Sequence, residues 1–324
     1  MPQNSIAYAA ARVSAIGSGV MGQAAMERLA AAGSMEETLK LLSDMGFPAE
    51  TRQMAEEAAE ESVKKACAQV RALSPQPAVT DCFLYRYDGL NLKTLLKARS
   101  LGLQGAALSP CGTVSPDALR HAVAEANYKA LPPFLRRAAE EADKMNAASF
   151  DPLMTDALID RAVYGHIHDV LDRERCPEAR EYFSSEADLV NLLIVLRSRS
   201  IGWSAEKAQR LYVPGGQVTV KELNACLTDP AHIRKAARGR AWERGVKSLY
   251  QDPISLFRVE KEVDDYKTRL LRSHRHDVGS VLPLIGYLVA RERESMAIRL
   301  ILTARSAGVG QEALTERLRE AYVR

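Results

Sequence analysis

Apolar residues recur along this chain at intervals of three and four, the spacing of one helix face, and no alternation of strand and helix patterns interrupts them. One such pattern is written three times. Asp88 to Gly102 reads DGLNLKTLLKARSLG, Asp188 to Gly202 reads DLVNLLIVLRSRSIG, and Glu294 to Gly308 reads ESMAIRLILTARSAG. Each copy opens on an acid, sets apolar residues four, seven and eight positions later, reaches an Arg-Ser pair and ends on glycine. The acid (Asp88, Asp188, Glu294) and the arginine (Arg99, Arg199, Arg305) fall on one helical stripe. The acid suits a helix N-terminus, the arginine a last turn, and Gly102, Gly202 and Gly308 a left-handed C-cap. The arginines either tie a last turn to a neighbouring unit or line a socket on a common axis.

A helical segment precedes each copy, over Met54–Leu73, Leu153–Arg173 and Ile254–Arg275, so each unit reads as two antiparallel helices joined by a short link. Two copies are followed by a Pro-containing loop and a further helix, at Ser109–Val123 and Val213–Leu227. Ser115 and Thr219 have the spacing of N-caps, with Asp117 and Glu222 behind them, and Pro116 suits a first turn. The third copy lacks this half. Met26 to Leu29, followed by Ser34–Asp44, resembles Leu223 to Cys226 followed by Pro230–Ala237, so the N-terminal segment is expected to complete the C-terminal unit. The expected division is 1–107, 108–208 and 209–324, three units of similar build.

Composition narrows the function. Among 324 residues, aromatic content is 6% and the net charge is +3, so neither nucleic acid nor an anionic membrane is favoured as a partner. Five scattered cysteines without a CxxC pair fit a reducing compartment. No apolar stretch approaches the roughly 20 residues of a membrane span. A protein on the cytoplasmic side is expected.

Chemistry-bearing motifs are few. Gly17-x-Gly19-x-x-Gly22 matches a dinucleotide-binding turn, which would make the chain an NAD-dependent oxidoreductase. That turn needs a strand before it, and Val13, Ala15 and Ile16 form a poor one, so a helix-to-helix turn is the better account. There is no P-loop and no Gly-x-Ser-x-Gly elbow. His166 and His168 lack metal spacing and are expected to be solvated or capping; no metal or cofactor is expected. Lys93 and Lys97 share an exposed face, with Arg197 equivalent to Lys97; they are either a partner-facing surface or a solvated one.

Several segments in order resemble one family. YAAARV from Tyr8, FLYRYDGLNLKTLLKAR from Phe83, DLVNLLIVLRSR from Asp188 with Pro214-Gly-Gly, and the close from Ala290 to Val323 are similar to the C-subunit family of V-type and A-type rotary ATPases, related to the d subunit of vacuolar ATPases. The chain departs from the family pattern at Gly17 and Gly19, where a helix break is expected, and at Ala297, which replaces the asparagine of the first two copies (Asn91, Asn191). The resemblance implies an all-α, funnel-shaped protein of three helical domains about a pseudo-threefold axis. It implies a non-catalytic central-stalk socket, peripheral to the membrane, between the rotor ring of proteolipid subunits and the central shaft, passing torque for proton or sodium transport.

Overall fold

In the computed structural model, residues 5–323 are described. Helices are the only regular secondary structure among them. In chain order they are α1 (Ile6–Ile16), α2 (Gln23–Ala31), α3 (Met35–Asp44), α4 (Arg52–Leu73), α5 (Pro77–Cys82), α6 (Tyr85–Ser100), α7 (Pro116–Ala124) and α8 (Pro133–Ala148). They continue with α9 (Pro152–Glu174), α10 (Pro177–Ser200), α11 (Ala205–Gln209), α12 (Val220–Thr228), α13 (Ala231–Ala237), α14 (Leu256–Ser273), α15 (Leu282–Ser306) and α16 (Gln311–Arg317). The repeated segment occupies α6 and the C-terminal halves of α10 and α15.

Two compact units emerge. One is continuous, from Asp81 to Val263; the other combines the chain up to Thr80 with the chain from Asp264 onward. In the two-segment unit, α15 packs against α4, α1, α2 and α3. Its core joins Met26, Leu29 and Leu42 from one end of the chain to Ile298, Ile301, Leu302 and Leu314 from the other. Burying each such side chain contributes about 1.5–3 kcal/mol, so the N-terminal helices are held chiefly by apolar contact. The C-terminal tail is latched by polar ones. Arg272 donates to the carbonyls of Tyr322 and Ala321, Glu320 takes Arg269 at 2.6 Å, and the Gln23 backbone N–H donates to the Val323 carbonyl at 2.9 Å.

In the continuous unit, α9 packs against α6, α8 and α10, α6 carries α7, and α10 carries α12. The helix ahead of α10 therefore belongs as much to α6 as to the segment it precedes, and α4 packs on α15. A simple hairpin of each leading helix with its own repeat is not what forms.

Two expectations need correction. Asp188 and Glu294 do not begin helices, because α10 starts at Pro177 and α15 at Leu282; only Asp88 lies in a first turn. Proline in the first helical turn lets both helices extend far ahead of the acid. His168 is neither solvated nor a cap. It is 6% exposed, neither ring nitrogen has a hydrogen-bond partner, and burial pushes its pKa down to about 4.

Candidate functional site

In all three copies the acid and the arginine grip opposite ends of one nine-residue helix: α7, α12 and α2. At its N-terminal end, the Val114 N–H donates to Asp88 Oδ1 at 2.9 Å and the Val218 N–H to Asp188 Oδ1 at 2.7 Å. In the third copy the Met21 N–H donates to Glu294 Oε1 at 2.7 Å. Each of these donors sits one residue before the cap of the gripped helix, namely Ser115, Thr219 and Gly22. At the C-terminal end, the guanidinium groups of Arg99, Arg199 and Arg305 donate to the carbonyls of Val123, Leu227 and Ala30. Those carbonyls lie eight positions past the cap in every case. They belong to the last turn, whose carbonyls lack helical partners and carry the negative dipole end.

The short helix is thus clamped at both ends, and its register is the one the sequence match of Met26 with Leu223 requires. The arginines tie their last turn to the following helix of the same copy, or, in the third, to the N-terminal segment.

The second carboxylate oxygen is used differently each time. Asp88 Oδ2 accepts from the Thr113 N–H at 2.9 Å and its hydroxyl at 2.7 Å. Asp188 Oδ2 accepts from Trp242 Nε1 at 3.1 Å, and Glu294 Oε2 pairs with Arg291 at 2.7 Å. All three acids are buried. Burial raises the pKa of Asp188, against the lowering effect of the Val218 N–H and Trp242.

Glycine permits this approach in two copies. A Cβ on Gly112 or Gly216 would lie on the carboxylate of Asp88 or Asp188. Gly19 holds the same place relative to Met21, yet the nearest atom to a Cβ there is Arg291 Nη2, 3.8 Å away. Glutamate is one methylene longer than aspartate, so its loop stands further off and the steric demand vanishes.

Gly17–Gly19 form a 3₁₀ turn that follows α1 without a strand, and Gly22 caps α2. The glycine motif is the loop of the third clamp, and the strand that a dinucleotide turn requires is replaced by a helix. The expected break at Gly17 is there.

Glycine also ends each repeated helix. Gly102, Gly202 and Gly308 have φ of +65°, +69° and +64°. The N–H groups of Leu103, Trp203 and Val309 then reach back to the carbonyls of Ala98, Ser198 and Ala304, the six-to-one bond of a Schellman cap. Asn91 exchanges two hydrogen bonds with Ser109, and Asn191 two with Val213. Ala297 supplies none.

Lys93 pairs with Asp160 at 2.7 Å and Lys97 with Asp156 at 2.9 Å, both acids on α9. Arg197 pairs with Glu260 of α14 at 2.6 Å. In the third copy Arg299 pairs with Glu60 of α4 at 2.8 Å. Each repeated helix is thereby bridged to the helix that leads into the next copy, with α4 following α15. No sequence signal points to these acids, because the pairs join residues some sixty positions apart or more.

No group of three or more His, Cys, Asp or Glu able to hold a metal lies among the described residues, and no described helix is long and apolar enough to cross a membrane. Residues 9–317 match the family described as ATP synthase (C/AC39) subunit. The chain is 22% identical over 252 residues to the C subunit of the A-type ATP synthase of Methanosarcina mazei, covering 73% of this chain and 68% of that protein. It is 24% identical over 263 residues to the C subunit of the V-type sodium ATPase of Enterococcus hirae, covering 77% of each. The chain belongs to the ATP synthase (C/AC39) subunit family.

Proposed function

We propose that this protein is the non-catalytic central-stalk socket of an A-type or V-type rotary ATPase, joining the central shaft to the membrane ring of proteolipid subunits. The observation that carries this is the clamp, made three times from the same residue types in the same register. A part that passes torque needs stiffness. A short helix held at one end by a buried acid and at the other by a part-buried arginine, through charge-assisted hydrogen bonds each worth about 1.5–3 kcal/mol, resists sliding along the helix that grips it. The names of the relatives supply the assembly: the C subunits of an A-type ATP synthase and of a V-type sodium ATPase.

On this reading the three copies stand about a pseudo-threefold axis as a funnel, with the N-terminal segment serving the C-terminal copy, and the protein lies against the cytoplasmic face of the membrane. A partner reaching Lys93, Lys97 or Arg197 shares these cations with Asp160, Asp156 and Glu260. Arg197, whose side chain is 58% exposed, is the most open of the three.

The test is an assembled rotary ATPase with and without this protein. Omission is expected to abolish ATP-driven ion transport while leaving ATP hydrolysis by the soluble motor, and the isolated protein is expected to co-purify with shaft and ring subunits. Ion transport that persists without it would remove the coupling role.

A further inference from the structure

We propose that the cavity beside Arg199 is a binding site for a carboxylate carried on a short apolar body. The basis is a difference between two copies of the same clamp, independent of the coupling role.

In the first copy both terminal nitrogens of the guanidinium, Nη1 and Nη2, are engaged. Arg99 holds the Val123 carbonyl, reaches the Tyr128 hydroxyl at 3.2 Å and forms an ion pair with Asp143 of α8. A carboxylate and a phenol from the following helix region fill the fork. In the second copy Arg199 holds the Leu227 carbonyl, and its other N–H groups have no protein partner among the described residues. The helix after the clamped one is here only seven residues, α13, against sixteen in α8. What α8 fills in the first copy is open in the second.

The opening is a cavity of 630 Å³, within the range of small-molecule sites. Arg199 lies in its wall beside Leu196, Leu249, Leu256, Arg234 and Tyr250. Arg234 is already placed, donating to the Tyr250 carbonyl at 3.0 Å with its guanidinium 5.9 Å from that ring. Asp229, also in the wall, is turned onto the start of α13: Oδ1 accepts the Ala231 N–H at 2.9 Å and Oδ2 lies 3.9 Å from His232. Neither Asp229 nor Asp252 forms an ion pair with Arg199. The unfilled fork matches a carboxylate bidentately, and the leucines match a short aliphatic body. In the third copy Arg305 donates to the Ala30 carbonyl and its Nε is buried without a partner.

A free small acid and a glutamate or aspartate side chain of another protein share this chemistry. Calorimetry on the full-length protein separates them with two probes: 4-methylpentanoate, and the capped peptide acetyl-Leu-Glu-Leu-amide against its Gln counterpart. Binding of 4-methylpentanoate assigns a small-molecule site. Binding of the Glu peptide alone, with none by the Gln peptide, assigns a partner side chain. In either case Arg199→Lys is expected to weaken binding at least tenfold, since a lysine can hold the Leu227 carbonyl but offers no fork. Should Arg199→Lys fail to fold, Leu256→Trp fills the cavity without touching the clamp and is expected to abolish binding. Absence of binding by both probes at 10 mM, on the order of −2.7 kcal/mol in affinity, or binding unchanged in the folded variant, would overturn the site.

Discussion

The clamp on α12 and the clamp on α2 make the same bonds across very different lengths of chain. Asp188 and Val218 are 30 residues apart, whereas Glu294 and Met21 are 273 apart. Closing the longer loop costs about 2 kcal/mol more by the logarithmic dependence on length. The two-segment unit offsets that with contacts the α12 clamp lacks: the Arg291–Glu294 pair, the bond from the Gln23 N–H to Val323, and the bond from the Ala321 N–H to the Gln23 side chain at 2.8 Å. The lesson is that one local geometry serves in both places, and that distant chain ends are joined by reinforcing what surrounds it.

Removing the distant partner is the most severe way to break the comparison. Deleting residues 1–31 takes away α1 and α2 and uncovers Ile298 and Ile301. Hydrogen exchange is expected to show α15 and α4 losing protection by several kcal/mol, since each lost apolar side chain removes about 1.5–3. Trp242, in the continuous unit, should keep its emission, and a synthetic peptide of residues 5–33 should restore protection. An α15 that stays protected after the deletion contradicts the joint core.

The loop glycines sharpen the same contrast with a single methyl. Gly216→Ala drives a Cβ onto the Asp188 carboxylate and is expected to cost about 1–3 kcal/mol. Gly19→Ala, with its nearest neighbour 3.8 Å away, should change stability by less than about 0.5 kcal/mol. Urea midpoints of the two variants read the difference; equal shifts would mean that the third loop approaches its acid as closely as the second.

Acid should separate the units next. In the two-segment unit, burial opposes ionisation of Asp264, yet Arg293, Lys267 and Arg319 outweigh it and hold its pKa below the ordinary 3.8. Glu320 is likewise lowered from 4.5, with Arg269 and Arg272 overcoming burial. A depressed carboxylate contributes stability that is present above its unfolded value and lost as pH falls through the folded one. Asp188 is raised, so its ionised form costs stability at neutral pH, and that cost is relieved as it protonates on acidification. Below about pH 4.5, where Glu320 and then Asp264 begin to protonate in the unfolded chain, circular dichroism should report loss of the two-segment unit before tryptophan emission changes. Trp203 and Trp242 both lie in the other unit. Simultaneous transitions would count against this.

The smallest effect belongs to the bridges between helices. Lys97→Ala removes a half-exposed pair with Asp156 and should cost about 0.5 kcal/mol or less, declining further with added salt. Thermal melts at low and high salt measure it.

Much of this is legible in the chain. The acid, arginine and glycine of each copy, the caps at Ser115 and Thr219, and the match of Met26 with Leu223 follow from local chemistry, which sequence records directly. Where Asp188 and Glu294 fall within their helices is not, because Pro177 and Pro283 open helices, and a proline ahead of an acid reads equally well as a link. The partners of Lys93, Lys97 and Arg197 are hidden, since nothing near a cation in sequence reveals an acid brought to it by packing. The spare fork of Arg199 is hidden for a related reason: its motif equals that of Arg99, and only the length of the following helix sets them apart.

The two-segment build has a further effect during synthesis. The continuous unit can close once Val263 has left the ribosome, but α2 and α4 have only α3 to cover Leu29 and Ala59 until α15 is made. At 5–20 residues per second the roughly 220 intervening residues take about 10–45 s. For that interval the first helices wait with their apolar faces only partly covered, and it is there that a chaperone has the most to protect.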